Sequence, residues 1–374
     1  MIYLDYAASA PPFPEVVSEM GRVAMEAYGN PGGLHLASET ARGILQQSRK
    51  EIAQALGAAP YEVFFTSGGT EANNWAVKLG CRLGRGRTIL VSAAEHKSVL
   101  EAAFSMEAEG FRVTLLYPDS QGILRPETLE AALNGDTALL CVQAVNNETG
   151  TIQDVQALSR LARGKKVPYL CDAVQSFGHQ DQTRNRADFV SISAHKFGGP
   201  RGIGCLVIRY PWLLQPLHHG GGQEQGMRSG TENLPAIAGF ALAARLALAR
   251  QAEETRHLEG LSRQLLEGIR RIEPGVKVNG SDHRHPGIVN LYFPGISGEE
   301  LALRLDLEGI CVSPGAACSA REGQPSPVLL AMGHSRERAG NSLRFSLGRN
   351  TTEEDIRRTI TAVEAILRRR RKEL

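Results

Sequence analysis

From Tyr61 to Arg209 the chain repeatedly sets a short β-branched or aromatic run against a segment of helical period. That rhythm restricts the fold more than any other feature. The runs are Glu62-Val-Phe-Phe-Thr66, Thr88-Ile-Leu-Val-Ser92, Phe111-Arg-Val-Thr-Leu-Leu116, Ala138-Leu-Leu-Cys-Val142, Pro168-Tyr-Leu-Cys171, Phe189-Val-Ser-Ile-Ser193 and Ile203-Gly-Cys-Leu-Val-Ile208. Most lack polar alternation, the mark of strands covered on both faces. Amphipathic stretches such as Leu129-Glu-Ala-Ala-Leu133 and Ala157-Leu-Ser-Arg-Leu-Ala162 lie between them. The pattern predicts an α/β domain with a mostly parallel, seven-stranded sheet wrapped by helices. The last run follows its predecessor through a loop without helical period, so it is expected to run antiparallel, at an edge or beside a neighbour.

A chain of 374 residues has room for roughly two domains. Pro235 opens a long helical pattern reaching about Ile272, without breakers, which is expected to bridge them. Beyond it, strands around Ile288–Phe293, Cys311–Ser313 and Ser342–Ser346 alternate with helices at 298–307 and 352–371, a smaller α/β unit. The boundaries are set at 15–250 for the large domain, with 1–14 and 251–374 forming the small one. A net charge of +2 gives no reason to expect nucleic acid or a membrane surface as partner. Six cysteines without a C-x-x-C pair are too sparse for a disulfide scaffold. Acidic Asp5 and the Pro11-Pro12 pair do not fit a signal peptide. A soluble cytoplasmic protein is expected. The Arg368–Lys372 cluster reads as a solvated helix end, where cations suit the dipole.

In open α/β sheets, sites form at the C-terminal ends of strands. Four such ends converge on one chemistry. Lys196 follows Phe189–Ser193 directly, and burial there favours the neutral, nucleophilic amine. Asp172 ends Tyr169-Leu-Cys-Asp172, and a carboxylate there can hold a pyridinium nitrogen protonated. One crossover helix and one strand would separate the two, placing them on neighbouring strands. Gln175 lies a turn further on. Thr66-Ser-Gly-Gly-Thr-Glu71 turns a strand into a helix through glycines, an anion cup suited to phosphate. Glu95-His96-Lys97 follows the fourth end, and His96 could stack on a planar ring or shuttle protons. Singly, each has an ordinary reading: a snorkelling lysine, a capping acid, an exposed glutamine, a capping histidine.

Together these segments resemble the cysteine desulfurases, which are fold-type I, class V pyridoxal-phosphate enzymes. The similarity is carried in order by Leu4-Asp-Tyr-Ala-Ala-Ser9, Gly29-Asn-Pro31, Thr66–Glu71, Glu95–Lys97, Val145-Asn-Asn-Glu148, Asp172-Ala-Val-Gln175, Ser193-Ala-His-Lys196, His219-Gly-Gly-Gly-Gln-Glu224, Arg228-Ser-Gly-Thr231 and Arg344-Phe-Ser-Leu-Gly-Arg349. It extends from about Tyr3 to about Ile366. The resemblance implies pyridoxal 5'-phosphate held by Lys196 at its aldehyde and by Asp172 at its ring nitrogen. Gly69, Thr70, Ser193 and His195 would bind its phosphate, joined by Thr231 from the other subunit of a homodimer. His96 would stack on the ring and assist proton transfer, and Gln175 would meet the phenolic oxygen. Asn147, beside the cofactor, and Arg344 would anchor the carboxylate of L-cysteine, for which a guanidinium fork is well shaped.

The segment Val312-Ser-Pro-Gly-Ala-Ala-Cys318-Ser-Ala-Arg-Glu-Gly-Gln-Pro-Ser-Pro327 has the composition of a loop. By the same resemblance, Cys318 is the nucleophile that takes sulfur from L-cysteine as a persulfide, leaving L-alanine. The sulfur then passes to an acceptor protein for iron–sulfur cluster, thio-cofactor or tRNA synthesis. Cys81, Cys141, Cys171, Cys205 and Cys311 read as small buried hydrophobes, and no metal site is expected. One rival reading is a selenocysteine lyase or a class V aminotransferase, the latter having no use for Cys318; another is a non-catalytic sulfur-relay or structural subunit, against which an intact Lys196, Asp172, His96 and Cys318 speak. Gly32-Gly33-Leu34-His35 and Pro200-Arg201-Gly202 depart from the family pattern without touching a proposed catalytic role.

Overall fold

A computed structural model describes residues 1–209, 215–315 and 324–373. Its strands are β1 (Ile2–Tyr3), β2 (Val63–Thr66), β3 (Thr88–Ser92), β4 (Arg112–Leu116), β5 (Thr137–Cys141), β6 (Tyr169–Asp172), β7 (Phe189–Ser193), β8 (Gly204–Ile208), β9 (Lys277–Asn279), β10 (Ile288–Tyr292), β11 (Ile310–Cys311) and β12 (Ser342–Ser346). The helices are α1 (Pro14–Glu26), α2 (Leu36–Ala55), α3 (Gly69–Leu83), α4 (Lys97–Ser105), α5 (Pro126–Ala132), α6 (Val155–Gly164), α7 (Leu234–Ile272), α8 (Gly298–Leu307), α9 (Pro327–Ala331), α10 (Arg336–Gly340) and α11 (Glu353–Glu373).

The seven expected runs make one sheet in the order β2-β8-β7-β6-β5-β3-β4. The strands from β7 through β4 in this order run parallel, and β8 is antiparallel to both its neighbours. The antiparallel strand therefore lies inside the sheet, and β2 takes the edge. β2, β5, β6, β7 and β8 are buried along their whole length, as apolar strands between two helical layers should be. β4 is the exception: an edge strand, it turns Arg112 and Thr114 to solvent.

One expected feature is absent. Residues 173–188, which carry the chain from β6 to β7, form turns and no crossover helix. The cause is local. Asp181 Oδ1 accepts from the Thr183 N–H at 2.9 Å and Asn185 Oδ1 from the Ala187 N–H at 3.1 Å. Such side-chain bonds compete with helical ones. β6 and β7 are nonetheless parallel neighbours, with Asp172 opposite Ser191.

Helix α7 is 39 residues long, and Asn233 caps it by accepting from the Ala236 N–H. Its first part, through Ala247, packs with Val16, Phe65 and Phe197 in the core beneath the large sheet. Its second part, Leu258 to Ile269, belongs to another core with Ile2, Leu4, Val289, Leu343 and Phe345. That second core is built on the antiparallel sheet β12-β10-β9 and the parallel pair β1-β11. Phe13 packs in the first core, so the chain passes between the two within its first dozen residues.

The arginines at the end of α11 are not merely solvated. Arg368 pairs with Glu364, Arg369 with Glu308, Arg370 with Glu300 and Arg371 with Glu273. Cys81, Cys141, Cys171 and Cys205 are buried free thiols, whereas Cys311 is half-buried on the short strand β11. Among the described residues no helix is long and apolar enough to cross a membrane, and no cluster of His, Cys, Asp and Glu could hold a metal ion.

Candidate active site

The C-terminal ends of β6 and β7 open into a cleft of about 270 Å³. Gly69, Thr70, His96, Asn147, Asp172, Gln175, Ser193, His195, Lys196 and Arg344 all line it. The structure therefore gathers ten of the twelve residues singled out above. Thr231 lies outside, exposed on the loop before α7. Cys318 lies outside the described residues.

The anion cup is the first turn of α3. Gly68 precedes it at φ +153°, a conformation that side chains rarely adopt, and the strand end at Gly204 crosses close by. A Cβ on Gly204 would stand 2.9 Å from the Gly68 Cα, so both glycines are needed for the turn to sit against the sheet. The N–H groups of the first helical turn have no partner within the helix, which makes this end attractive to an anion. Ser193 and His195 reach the cleft from the end of β7 and just past it. The His195 pKa is drawn down to about 4 by burial, then by the charges of Lys196 and Arg201.

Asp172 is the acidic floor. Its Oδ2 accepts from Asn73 Nδ2 at 2.7 Å and its Oδ1 from the Val174 N–H at 2.9 Å. Both donors are neutral amide N–H groups. Asn73 is itself held, its Oδ1 accepting from Ser191 Oγ at 2.6 Å and its Nδ2 also reaching Ser98 Oγ at 2.9 Å. The chain of bonds ends at His96, whose Nδ1 meets Ser98 Oγ at 2.8 Å and accepts from the Ser98 N–H at 3.1 Å. His96 is thus the N-cap of α4 as well as a cleft residue. With Nδ1 accepting, the ring hydrogen belongs on Nε2. Burial lowers the His96 pKa, opposed by Asp172 and reinforced by Lys196 and Lys97.

Lys196 Nζ donates to the Ala7 carbonyl at 2.6 Å and the Ala8 carbonyl at 3.1 Å. Arg344, 1% exposed, donates from Nη2 to Asp5 Oδ1 and from Nη1 to the Asn147 carbonyl, each at 2.7 Å. Its Nε has no protein partner. A rigid, buried guanidinium is thereby held at the cleft wall.

Sequence reasoning passed over several members of this site. Asn73 was detectable as a polar residue one turn into an otherwise apolar helical face, where asparagine is a poor helix former. Glu95 is buried, its Oε1 accepting from the Gln143 N–H at 2.6 Å while Oε2 has no protein partner. Burial, then the nearby charge of Asp172, pushes its pKa well up. Asp5 gave no signal by itself, because its partner Arg344 is 339 residues away. Two ion pairs fix the loop that carries Thr231. Glu224 bonds Arg49 at 2.6 Å and accepts from the Phe65 N–H at 2.8 Å; Arg228 bonds Glu71 at 2.9 Å.

Residues 2–359 match the aminotransferase class-V family. A cysteine desulfurase IscS from Clostridium botulinum is 40% identical over 377 residues, covering 99% of this chain and 95% of that protein. A solved NifS-like protein superposes with a TM-score of 0.91 at 36% identity, covering 98% of this chain and 99% of its own. A structure described as SspA in complex with cysteine gives a TM-score of 0.83 at 33% identity, covering 94% and 100%. With a family match along nearly its whole length and a sheet whose strand ends carry the expected amine, acid and anion cup, the chain belongs to the class V aminotransferase family, whose fold and pyridoxal-phosphate dependence it shares.

Proposed function

We propose that the chain is a cysteine desulfurase. It converts L-cysteine to L-alanine and passes the sulfur through a persulfide on Cys318 to an acceptor for iron–sulfur cluster, thio-cofactor or tRNA synthesis. The observation that carries the reading is one cleft shared by a buried carboxylate with neutral donors only (Asp172), an amine from the adjoining strand end (Lys196) and a buried guanidinium (Arg344).

The residues suit pyridoxal phosphate. Lys196 would hold its aldehyde carbon, Asp172 its ring nitrogen, Gln175 its phenolic oxygen, and Gly69, Thr70, Ser193 and His195 its phosphate, with His96 against the ring. When bound, this cofactor supplies the electron sink for carbanion chemistry at the substrate α-carbon. Arg344 and Asn147 receive the substrate carboxylate and so orient the Cα–H bond. Lys196 Nζ, once released, takes the Cα proton and returns it. Neutral His96 is available to exchange protons at Nε2. Cys318 thiolate attacks the substrate sulfur: the S–S bond forms as the C–S bond breaks, and the carbon fragment takes up protons to become alanine.

The protein is proposed to act as a cytoplasmic homodimer, Thr231 reaching the partner's phosphate site. Met25, Tyr28, Leu34 and Leu36 are each more than three-quarters exposed, an apolar surface that a partner subunit would cover. The five described thiols are free, as in a reducing compartment. The division at residues 15–250 against 1–14 and 251–374 is proposed as the domain organisation.

The test is direct. Purified protein loaded with cofactor should be yellow and should release alanine and sulfide from L-cysteine. Cys318→Ala should keep the colour and lower sulfur delivery to an acceptor at least about a hundredfold. Undiminished delivery would remove Cys318 from the reaction.

A further inference from the structure

Behind the cleft lies a second, smaller cavity of about 30 Å³, and Gln175 and Lys196 form part of the wall between the two. His179 and His285 line its far side, their ring centroids 4.1 Å apart and their planes at 68°. Three buried polar atoms of these residues have no protein partner: Gln175 Oε1, His179 Nδ1 and His285 Nε2. A buried polar group left without a partner is costly, so three on residues that line one space call for a common partner.

Their chemistry defines that partner. His285 Nδ1 accepts from the Gly287 N–H at 3.0 Å, which places the ring hydrogen on Nε2 and makes that atom a donor. Gln175 Oε1 can only accept. The partner must therefore accept from one side and donate to the other, in a space that holds about two waters. Protonating His285 would add a hydrogen at Nδ1, against the Gly287 N–H, and burial opposes it as well. The pair is thus fixed as neutral. The other titratable groups facing the cavity are Tyr6, Lys196, Glu254 and Arg349.

We propose that this cavity is a built water site, through which His179 and His285 hold the Gln175 carbonyl oxygen and so direct its amide N–H groups into the cleft. This deepens the reading above, because it rests on Gln175 meeting the phenolic oxygen of the cofactor. A flipped amide would set two acceptors against each other. The histidines are then positioning residues, acting on the cofactor through Gln175.

Two measurements decide it, neither of which requires turnover. A crystal structure of the cofactor-loaded protein should show ordered water within hydrogen-bond distance of both His285 Nε2 and the Gln175 amide; a dry cavity overturns the proposal. Titration of the visible absorbance of the bound cofactor gives the second. His285→Leu should raise the midpoint by about one pH unit, a tenfold shift, because an N–H donor to the phenolic oxygen is lost. His285→Gln keeps a side-chain N–H in reach and should restore most of the shift. If the two variants titrate alike, or His285→Leu matches the parent, the proposal fails. Should His285→Leu not fold, His179→Leu is read by the same midpoint and the same criteria. A parent protein that binds the cofactor but releases no alanine or sulfide from L-cysteine would count against the function proposed above, whereas an unshifted midpoint in His285→Leu counts against the water site.

Discussion

The sheet-side wall of the cleft takes Asp172, Ser193 and Lys196 from the ends of the paired strands β6 and β7 and Gly69 from the start of α3, whereas the opposite wall pairs Asp5 with Arg344 across 339 residues. In the proposed reading the first wall would hold the cofactor's atoms, and the second would hold the substrate's carboxylate against a guanidinium that is fixed from behind. The difference teaches that reactivity and recognition here come from separate parts of the chain, so they should fail separately when mutated.

The strongest way to break that comparison is Lys196→Ala. It should lower kcat at least about a thousandfold and abolish the lysine-linked absorbance of the bound cofactor. Arg344→Lys should instead raise KM for L-cysteine by about 10–100-fold with a smaller effect on kcat, since the fork and its bond to Asp5 are lost together. If Arg344→Lys depressed kcat alone, the two walls would not be separable.

Acid sharpens the contrast further. Burial holds His179 and His195 near pKa 4, below the ordinary value of about 6.5. Between those values the unfolded chain binds more protons than the folded one, so stability falls as pH drops from about 6.5 to 4. The melting temperature at pH 4.5 should lie about 2 °C or more below that at pH 7; equal values would mean that these rings are not buried as neutral groups.

The smallest effect is expected at Glu95, whose pKa is displaced in the other direction. Its folded form keeps the proton while the unfolded one releases it above about pH 4.5, so its contribution to stability weakens as pH rises. Glu95→Gln should change stability by about 1 kcal/mol or less at pH 4.5. The variant should gain on the parent as pH increases. A difference that does not vary with pH would show that Glu95 ionises in place.

The parallel sheet was legible because its strands are unbroken apolar runs, and most of the sheet-side wall because it consists of the residues that end those runs. The antiparallel run of β8 was expected, but which of an edge or an interior place it takes, and the helix-free path from β6 to β7, depend on strand order and side-chain bonds that periodicity does not encode. Asp5 and Glu95 were silent for another reason: a carboxylate's partner is a matter of tertiary contact. Ten cleft residues could be found from strand ends and family resemblance together, but the bonds that orient them could not.

The contact between Asp5 and Arg344, together with the pairing of β1 on β11, has a temporal consequence. During synthesis the large sheet can close once Ile208 has left the ribosome. The proposed carboxylate receptor, by contrast, has Asp5 made at the start and Arg344 near the end. A nascent chain could therefore acquire the cofactor's seat well before it can recognise an amino acid, and competence for its substrate would arrive as a late, all-or-none event.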